Sequence, residues 1–279
     1  MYPKFTTRDK DILIDVYHYR YLSASQIERL RFPSKRTAQR RLQTLHTLGY
    51  LKSFTTPNIA ERIFYLDKKG AEVVAYEWKT EIASLDWQRH SQPKDYYFLK
   101  HFLAINDFRI LVSQACQVRG LTLLGFIPEY IGERTKQGFV KKYIRDSVKN
   151  LSHTPDAVFA LEKNNKPALF FAEIDRGTEL ITDPDKGLLK AIIFYLNYWQ
   201  AKGYSRYEKD FNRRFETARI LILTTTTTRL QHIREVVTKL DFNPAYAKRF
   251  LWGTTEQEAI FSSVWQALDT SDTEVYAIE

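Results

Sequence analysis

The sequence predicts an α+β protein of two unlike parts, and three observations predict it. Up to about residue 80 the pattern is three short helices and a hairpin, whereas from Tyr96 it changes to one long helix followed by alternating strands and helices. The net charge of +9 is held almost wholly by residues 1–70, which carry 14 Lys and Arg against 6 Asp and Glu; the remainder carries 28 against 27. The chain has 279 residues, 44% hydrophobic and 14% aromatic, enough for two domains with a core each and too apolar for a disordered chain.

Taken in order, Thr6 with Asp9 three residues on opens the first helix, whose apolar positions Ile12, Leu13, Val16 and Tyr17 recur at helical spacing. Ser23 to Glu28 supplies two overlapping capping boxes for a short second helix ending near Arg31. Pro33-Ser34 starts a third, and Gly49 stops it. Two strand-like runs follow, 50–54 and 62–66, separated by a polar stretch with Pro57 and Asn58. Helix, helix, helix, β-ribbon is the winged helix-turn-helix order, and a helical stretch from Ala71 to Trp78 closes it. The expected division is a winged helix domain over 1–80, a linker over 81–96 and an α/β domain over 97–279.

On a helical wheel the third helix sorts cleanly. Ala38, Leu42 and Leu45 share one side; Arg36, Arg40, Gln43 and Thr47 lie opposite, with Gln39 and Thr44 on the flanks and Lys35 at the start. Arg bonds the O6 and N7 edge of guanine, Gln does the same for adenine, and Thr meets a phosphate or a thymine methyl. Arg62, at the base of the second hairpin strand, is expected to reach a neighbouring phosphate. A basic bias confined to one folded segment raises nucleic acid above an acidic metabolite as the partner.

In the second part, Phe98, Phe102, Ile105 and Val112 form the apolar arc of a long helix, interrupted by Asn106. Strands are expected at 121–127, 156–161, 168–174 and 218–224, with a short one at 249–252; helices are expected at 186–200 and 229–240. The order is α-β-β-β-α-β with additions. Asn164 and Asn165 tolerate the left-handed conformations of a tight turn, and a hairpin closed there sets Asp156 directly opposite Glu173. Asp175 points to the same face as Glu173. Facing carboxylates repel unless a cation or a shared proton sits between them, so Asp156, Glu173 and Asp175 are a candidate Mg²⁺ or Mn²⁺ site. A solvated acidic strand end is the alternative.

Other chemistries are excluded by pattern. A single cysteine, Cys116 in an apolar helical pattern, rules out an internal disulfide framework and a Cys-cluster zinc site. The six histidines form no His-x-His or His-x-x-x-His pair, and there is no phosphate loop, dinucleotide fingerprint or nucleophile elbow. The Thr224 to Thr228 run reads as strand end and helix cap. No apolar run approaches the roughly 18 residues of a membrane span, and the start has no apolar signal region, so a cytoplasmic protein without a membrane partner is expected.

The residues also resemble the replication-relaxation family of plasmids and mobile elements. The N-terminal part matches at Thr7-Arg8-Asp9, Ile12-Leu13, Tyr21 to Ile27, Arg41-Leu42, Leu45, Gly49-Tyr50-Leu51, Tyr65 and Gly70. The C-terminal part matches at His101, Leu103, Asn106-Asp107, Pro155-Asp156-Ala157, the run Glu173-Ile174-Asp175-Arg176-Gly177-Thr178-Glu179, Lys186 and Tyr195. The resemblance implies a DNA-binding accessory factor in plasmid replication, relaxation or mobilisation. The strand order with Asp156 and Glu173 is similar, separately, to the PD-(D/E)XK nuclease superfamily, in which the two acids bind Mg²⁺ and a Lys two residues after the Glu helps activate water. Here that position is Asp175, and Lys186 and Lys190 on the next helix are the candidates to replace the missing amine.

The leading expectation is therefore a sequence-specific, double-stranded-DNA-binding accessory or regulatory protein whose nuclease-like domain does not cleave. A metal-dependent endonuclease directed by the winged helix is the alternative, and a transcription regulator whose second domain only dimerises is a third. Partners other than DNA stay open among a replication initiator, a relaxase and a second copy of the chain.

Overall fold

A computed structural model describes residues 5–87, 96–135, 138–243, 246, 248–249, 251–256 and 259–278. They form two compact units, one up to Ile110 with Arg134–Phe139, the other Leu111–Glu133 with the chain from Val140 onward.

In the first unit, Thr6 caps α1 (Thr7–Tyr19): the Asp9 amide donates to the Thr6 hydroxyl at 3.3 Å, and the Asp9 carboxylate accepts from Thr6 N at 2.6 Å. Ile12, Leu13 and Val16 are buried. The helix stops at Arg20, whose φ of 60° lets the Tyr21 amide donate to the Tyr19 carbonyl at 2.7 Å, a three-residue turn that costs strain in a non-glycine residue. Buried Asn106 clamps that turn, its amide nitrogen donating to the Tyr19 and Tyr21 carbonyls at 3.1 and 2.8 Å. The polar interruption in the apolar arc thus satisfies a buried corner of backbone.

After β1 (Leu22–Ser23), α2 (Ala24–Arg31) uses one of its two capping boxes, Ser23 with Gln26. The Ser25 amide donates instead to Glu61 at 2.9 Å. α3 (Lys35–Thr47) buries Ala38, Leu42 and Leu45 and ends at Gly49, whose φ of +77° lets the Tyr50 amide reach the Leu45 carbonyl at 2.9 Å. β2 (Leu51–Thr56) and β3 (Ile59–Leu66) run closer to Pro57-Asn58 than the sequence suggests. β1 pairs with β3 to make a three-stranded antiparallel sheet of order β1-β3-β2; a two-residue strand has no periodicity to read. α4 (Lys68–Glu77) begins three residues earlier than expected, capped by Asp67.

The stretch expected to be a linker is in part packed. Leu85 is buried and the Trp87 indole donates to the Leu66 carbonyl at 3.2 Å; residues 88–95 lie outside the described residues. α5 (Tyr96–Arg119) joins the first unit through Ile110, and the Gln26 amide donates to the Leu103 carbonyl at 2.8 Å. The first compact unit therefore extends past residue 80.

The chain continues as β4 (Thr122–Pro128), two ribbons the sequence does not suggest, β5 (Tyr130–Thr135) with β6 (Gly138–Tyr143), whose far end is the Arg134–Phe139 part of the first unit, and β7 (Asp146–Val148) with β8 (Leu151–His153), then β9 (Ala157–Lys163) and β10 (Lys166–Ile174). Then come α6 (Gly187–Gln200), α7 (Glu208–Phe211), β11 (Ala218–Leu223), α8 (Thr227–Thr238), β12 (Leu251–Thr254), β13 (Trp265–Ala267) and β14 (Val275–Tyr276). The expected strands and helices of the α-β-β-β-α-β order are all present, with bounds shifted by no more than two residues. Seven strands form one mixed sheet of order β14-β13-β12-β11-β10-β9-β4 in which β10, β11 and β12 are parallel. α6 and α8 bury Leu188, Ile192, Tyr195, Leu230 and Ile233 on one face of it. On the other face Phe126, Phe159, Phe170 and Arg219 stand side by side on neighbouring strands, and the Arg219 guanidinium lies 4.9 Å from the Trp252 ring centre.

Asn164 and Asn165 have φ of 51° and 61°, and the hairpin pairs from Lys163 with Lys166 to Ala157 with Ala172, the register that turn implies. Cys116 is buried, and burial pushes its thiol up to about 11, so it stays a protonated core residue. Among the described residues no helix is long and apolar enough to cross a membrane.

Candidate functional site

The wheel of α3 holds in three dimensions. With one side packed on the first unit's core, Lys35, Arg36, Gln39, Arg40, Gln43 and Thr47 are exposed. Thr44 is half-buried and its hydroxyl donates back to the Arg40 carbonyl at 3.0 Å.

Charge pairing sorts the basic residues of this unit. Arg20 pairs with Asp86, Arg29 with Asp107, Arg31 with Asp15 and Arg41 with Asp9. Asp9 is fully buried; burial alone would raise its carboxyl, but Arg41 and Thr6 outweigh that and hold it below the usual range. Arg36, Arg40 and Arg62 make no ion pair among the described residues, nor does exposed Arg8 of α1, so α3 and the adjoining strand carry three arginines without an acid partner. Arg62 is exposed and donates from Nη1 to Gln43 Oε1 at 2.8 Å. Beside it a depression of about 340 Å³ is lined by Lys35, Gln39, Gln43, Glu61 and Arg62. Burial would lift the Glu61 carboxyl, yet the Ser25 amide, the Ser23 and Ser25 hydroxyls and the Lys35 charge hold it below the usual range.

The second candidate site lies where β9 begins and β10 ends. Asp156 accepts from the Ile174 amide at 2.7 Å. Glu173 is buried and accepts from the Tyr195 hydroxyl and, at 2.7 Å, from His153 Nε2. Burial, with the charge of Asp156, raises the Glu173 carboxyl against the pull of His153. The His153 imidazole is raised too, since Glu173, Asp156 and Asp146 outweigh the opposing effect of its burial. Both shifts favour a proton on the His153–Glu173 pair, which lies beside Asp156. A carboxylate oxygen of Glu129 lies within 4.8 Å of one of Asp156.

Asp175 is not gathered with them. Its carboxylate accepts from the Arg229 guanidinium, at 2.8 Å from Nη2, from the Thr224 hydroxyl at 2.6 Å and from the Gly177 amide at 3.1 Å; together these overcome burial and lower its pKa. Arg229 also donates to the Glu179 carbonyl at 2.8 Å. A Cβ on Gly187 would stand 2.7 Å from Glu179 Oε2, and its φ is +60°, so the turn into α6 requires glycine. The run from Glu173 to Glu179 is therefore the end of β10 and the loop after it, tied to α6 by Glu173 and to α8 by Asp175. Lys186 is the exposed N-cap of α6 and Lys190 sits half-buried one turn on; neither pairs with Asp156, Glu173 or Asp175 among the described residues. Thr226 caps α8, as expected for the threonine run.

Sequence reasoning missed Glu129, His153, Tyr195 and Arg229 at this place. Each arrives from a separate element, and local spacing carries no signal for that.

Among protein-family models, that of the replication-relaxation proteins matches residues 13–213. No curated protein and no solved structure matches the chain.

Proposed function

Given that the chain belongs to the replication-relaxation family, which implies a role in the replication of plasmids or mobile elements, we propose that it is a sequence-specific, double-stranded-DNA-binding accessory or regulatory protein. Its first unit acts as a winged helix: α3 enters the major groove, and the β2–β3 hairpin is the wing. The observation that carries this reading is the sorting of charge. Arg20, Arg29, Arg31 and Arg41 are each paired with an aspartate, while Arg36, Arg40 and Arg62 stand exposed beside Gln39 and Gln43 with no ion pair among the described residues. A solvated surface has no need of that segregation, whereas a groove-reading face does.

Titrating labelled duplex DNA with the full chain at several salt concentrations tests the reading. Log affinity is expected to fall linearly with log salt, with a slope of about −0.9 for each phosphate met. No binding at low ionic strength, or binding indifferent to salt, would remove it.

A second reading, a metal-dependent endonuclease with a PD-(D/E)XK-like second unit, is favoured by the approach of Glu129 to Asp156 beside Glu173. Oxygen donors of this kind suit Mg²⁺ or Mn²⁺, which would polarise a phosphate and acidify a bound water. Asp156 and Glu129 would hold such an ion; Glu173, bonded to His153 and Tyr195, and Asp175, committed to Arg229, are engaged elsewhere. Lys186 and Lys190 would have to supply the amine. If an ion binds the folded chain, Mn²⁺ at a hundred times its dissociation constant raises stability by about 2.7 kcal/mol. Asp156→Asn, which keeps an acceptor for the Ile174 amide, should abolish that rise. A melting temperature indifferent to Mg²⁺ and Mn²⁺, with no cleavage of supercoiled, linear or single-stranded DNA, would leave the second unit as a scaffold.

A further inference from the structure

We propose that Arg62 reads a guanine edge as part of the α3 surface, rather than holding a phosphate from the wing. This rests on the DNA-binding reading above and assigns one of its residues a specific task.

Arg62 stands well back from the Pro57-Asn58 turn, so it is not at the tip of the hairpin, where a wing grips the backbone. Its Nη1 donates to Gln43 Oε1 at 2.8 Å, and Gln43 Nε2 in turn donates to Thr47 Oγ1 at 3.3 Å. The Gln43 amide is thus held at both ends, with its oxygen turned to Arg62. Because the buttress is neutral, it leaves the guanidinium charge uncompensated, and among the described residues Arg62 has no other hydrogen bond or ion pair.

Guanidinium has five N–H donors, of which Gln43 takes one. The opposite edge, Nε and Nη2, stays open as the two-pronged fork that matches O6 and N7 of guanine. A phosphate contact needs charge and reach, and a mobile side chain provides both. A base reader needs a fixed direction, and ordering the side chain before DNA arrives removes part of the entropic cost of binding. Gln43, which sets that direction, is a positioning residue for Arg62 in addition to any base it meets itself.

The test uses the full chain and a pool of randomised duplexes enriched on the wild-type protein, followed by affinities for the preferred site and each single-base-pair variant across a salt series. Wild type should prefer guanine at one position by about 5- to 100-fold. Arg62→Ala and Arg62→Lys should both flatten that position while leaving the others, and the salt slope, unchanged; Gln43→Ala should weaken the same preference. Lysine keeps the charge and loses the fork, so its failure to restore the preference separates base reading from simple attraction. Uniform weakening by Arg62→Ala across all sites, a salt slope shallower by about one, and rescue by lysine would overturn the assignment in favour of a phosphate contact. An unchanged profile in all three variants would overturn it as well. Absence of duplex binding by the wild-type chain is a different result, and it removes the DNA reading itself.

Discussion

Replacing Arg36 and Arg40 together by alanine is expected to weaken specific duplex binding by about 2 to 6 kcal/mol, taking about 1 to 3 kcal/mol for each base edge left without its arginine. The two side chains are one helical turn apart on the same face, so coupling between them places the result toward the lower end. Neither makes an ion pair among the described residues, and both are exposed. Melting temperature should therefore stay within the small range of surface substitutions, which separates impaired recognition from impaired folding. Competition against unrelated duplex is the informative measurement. Specific binding should drop toward the nonspecific level, whereas an equal weakening on both DNAs would mean that these arginines meet only the backbone.

The largest stability effect is expected from Arg41→Ala, at about 3 kcal/mol near neutral pH. Arg41 holds Asp9 with two hydrogen bonds, and Asp9, fully buried, also caps α1. Removing the guanidinium leaves a buried carboxylate without its cation, a change that costs about 3 to 5 kcal/mol in such pairs. The lower end applies because the Arg41 side chain keeps 20% of its surface exposed. The pH dependence follows from the lowered carboxyl of Asp9. A group whose folded pKa lies below its unfolded value stabilises the fold above the unfolded pKa and loses that contribution as pH falls through the folded one. In the variant the opposite shift holds, and protonating Asp9 relieves it. The gap between wild type and variant, read from urea midpoints, should be widest near neutrality and close below about pH 4. A gap of constant size across that range would mean that the missing packing of the arginine stem, and not the charge, explains the effect.

Much of the architecture was legible in the residues because it is set by local physics. The Thr6–Asp9 box, the apolar side of α3 and Gly49 each act within one turn of chain, so they mark their elements without help from the rest of the molecule. The Asn164-Asn165 turn did the same for the β9–β10 register, since two left-handed residues at a hairpin tip determine which residues face each other. β1 and the ribbons between β4 and β9 were not legible; they are two to six residues long and exist through their pairing partners.

The sites divide along the same line. By itself the sequence determined which residues occupy the outer face of α3 and that Asp156 and Glu173 approach one another, because helical period and hairpin register are properties of contiguous chain. Only the tertiary structure decided which charges are left over: that Arg41 is drawn to Asp9 while Arg36 and Arg40 are not paired among the described residues, that Arg62 leans on Gln43, and that Asp175 belongs to Arg229. The reason is physical. Whether a charged group is neutralised depends on what stands within a few ångströms of it, and Arg41 and Asp9 are 32 residues apart in the chain, Asp175 and Arg229 54.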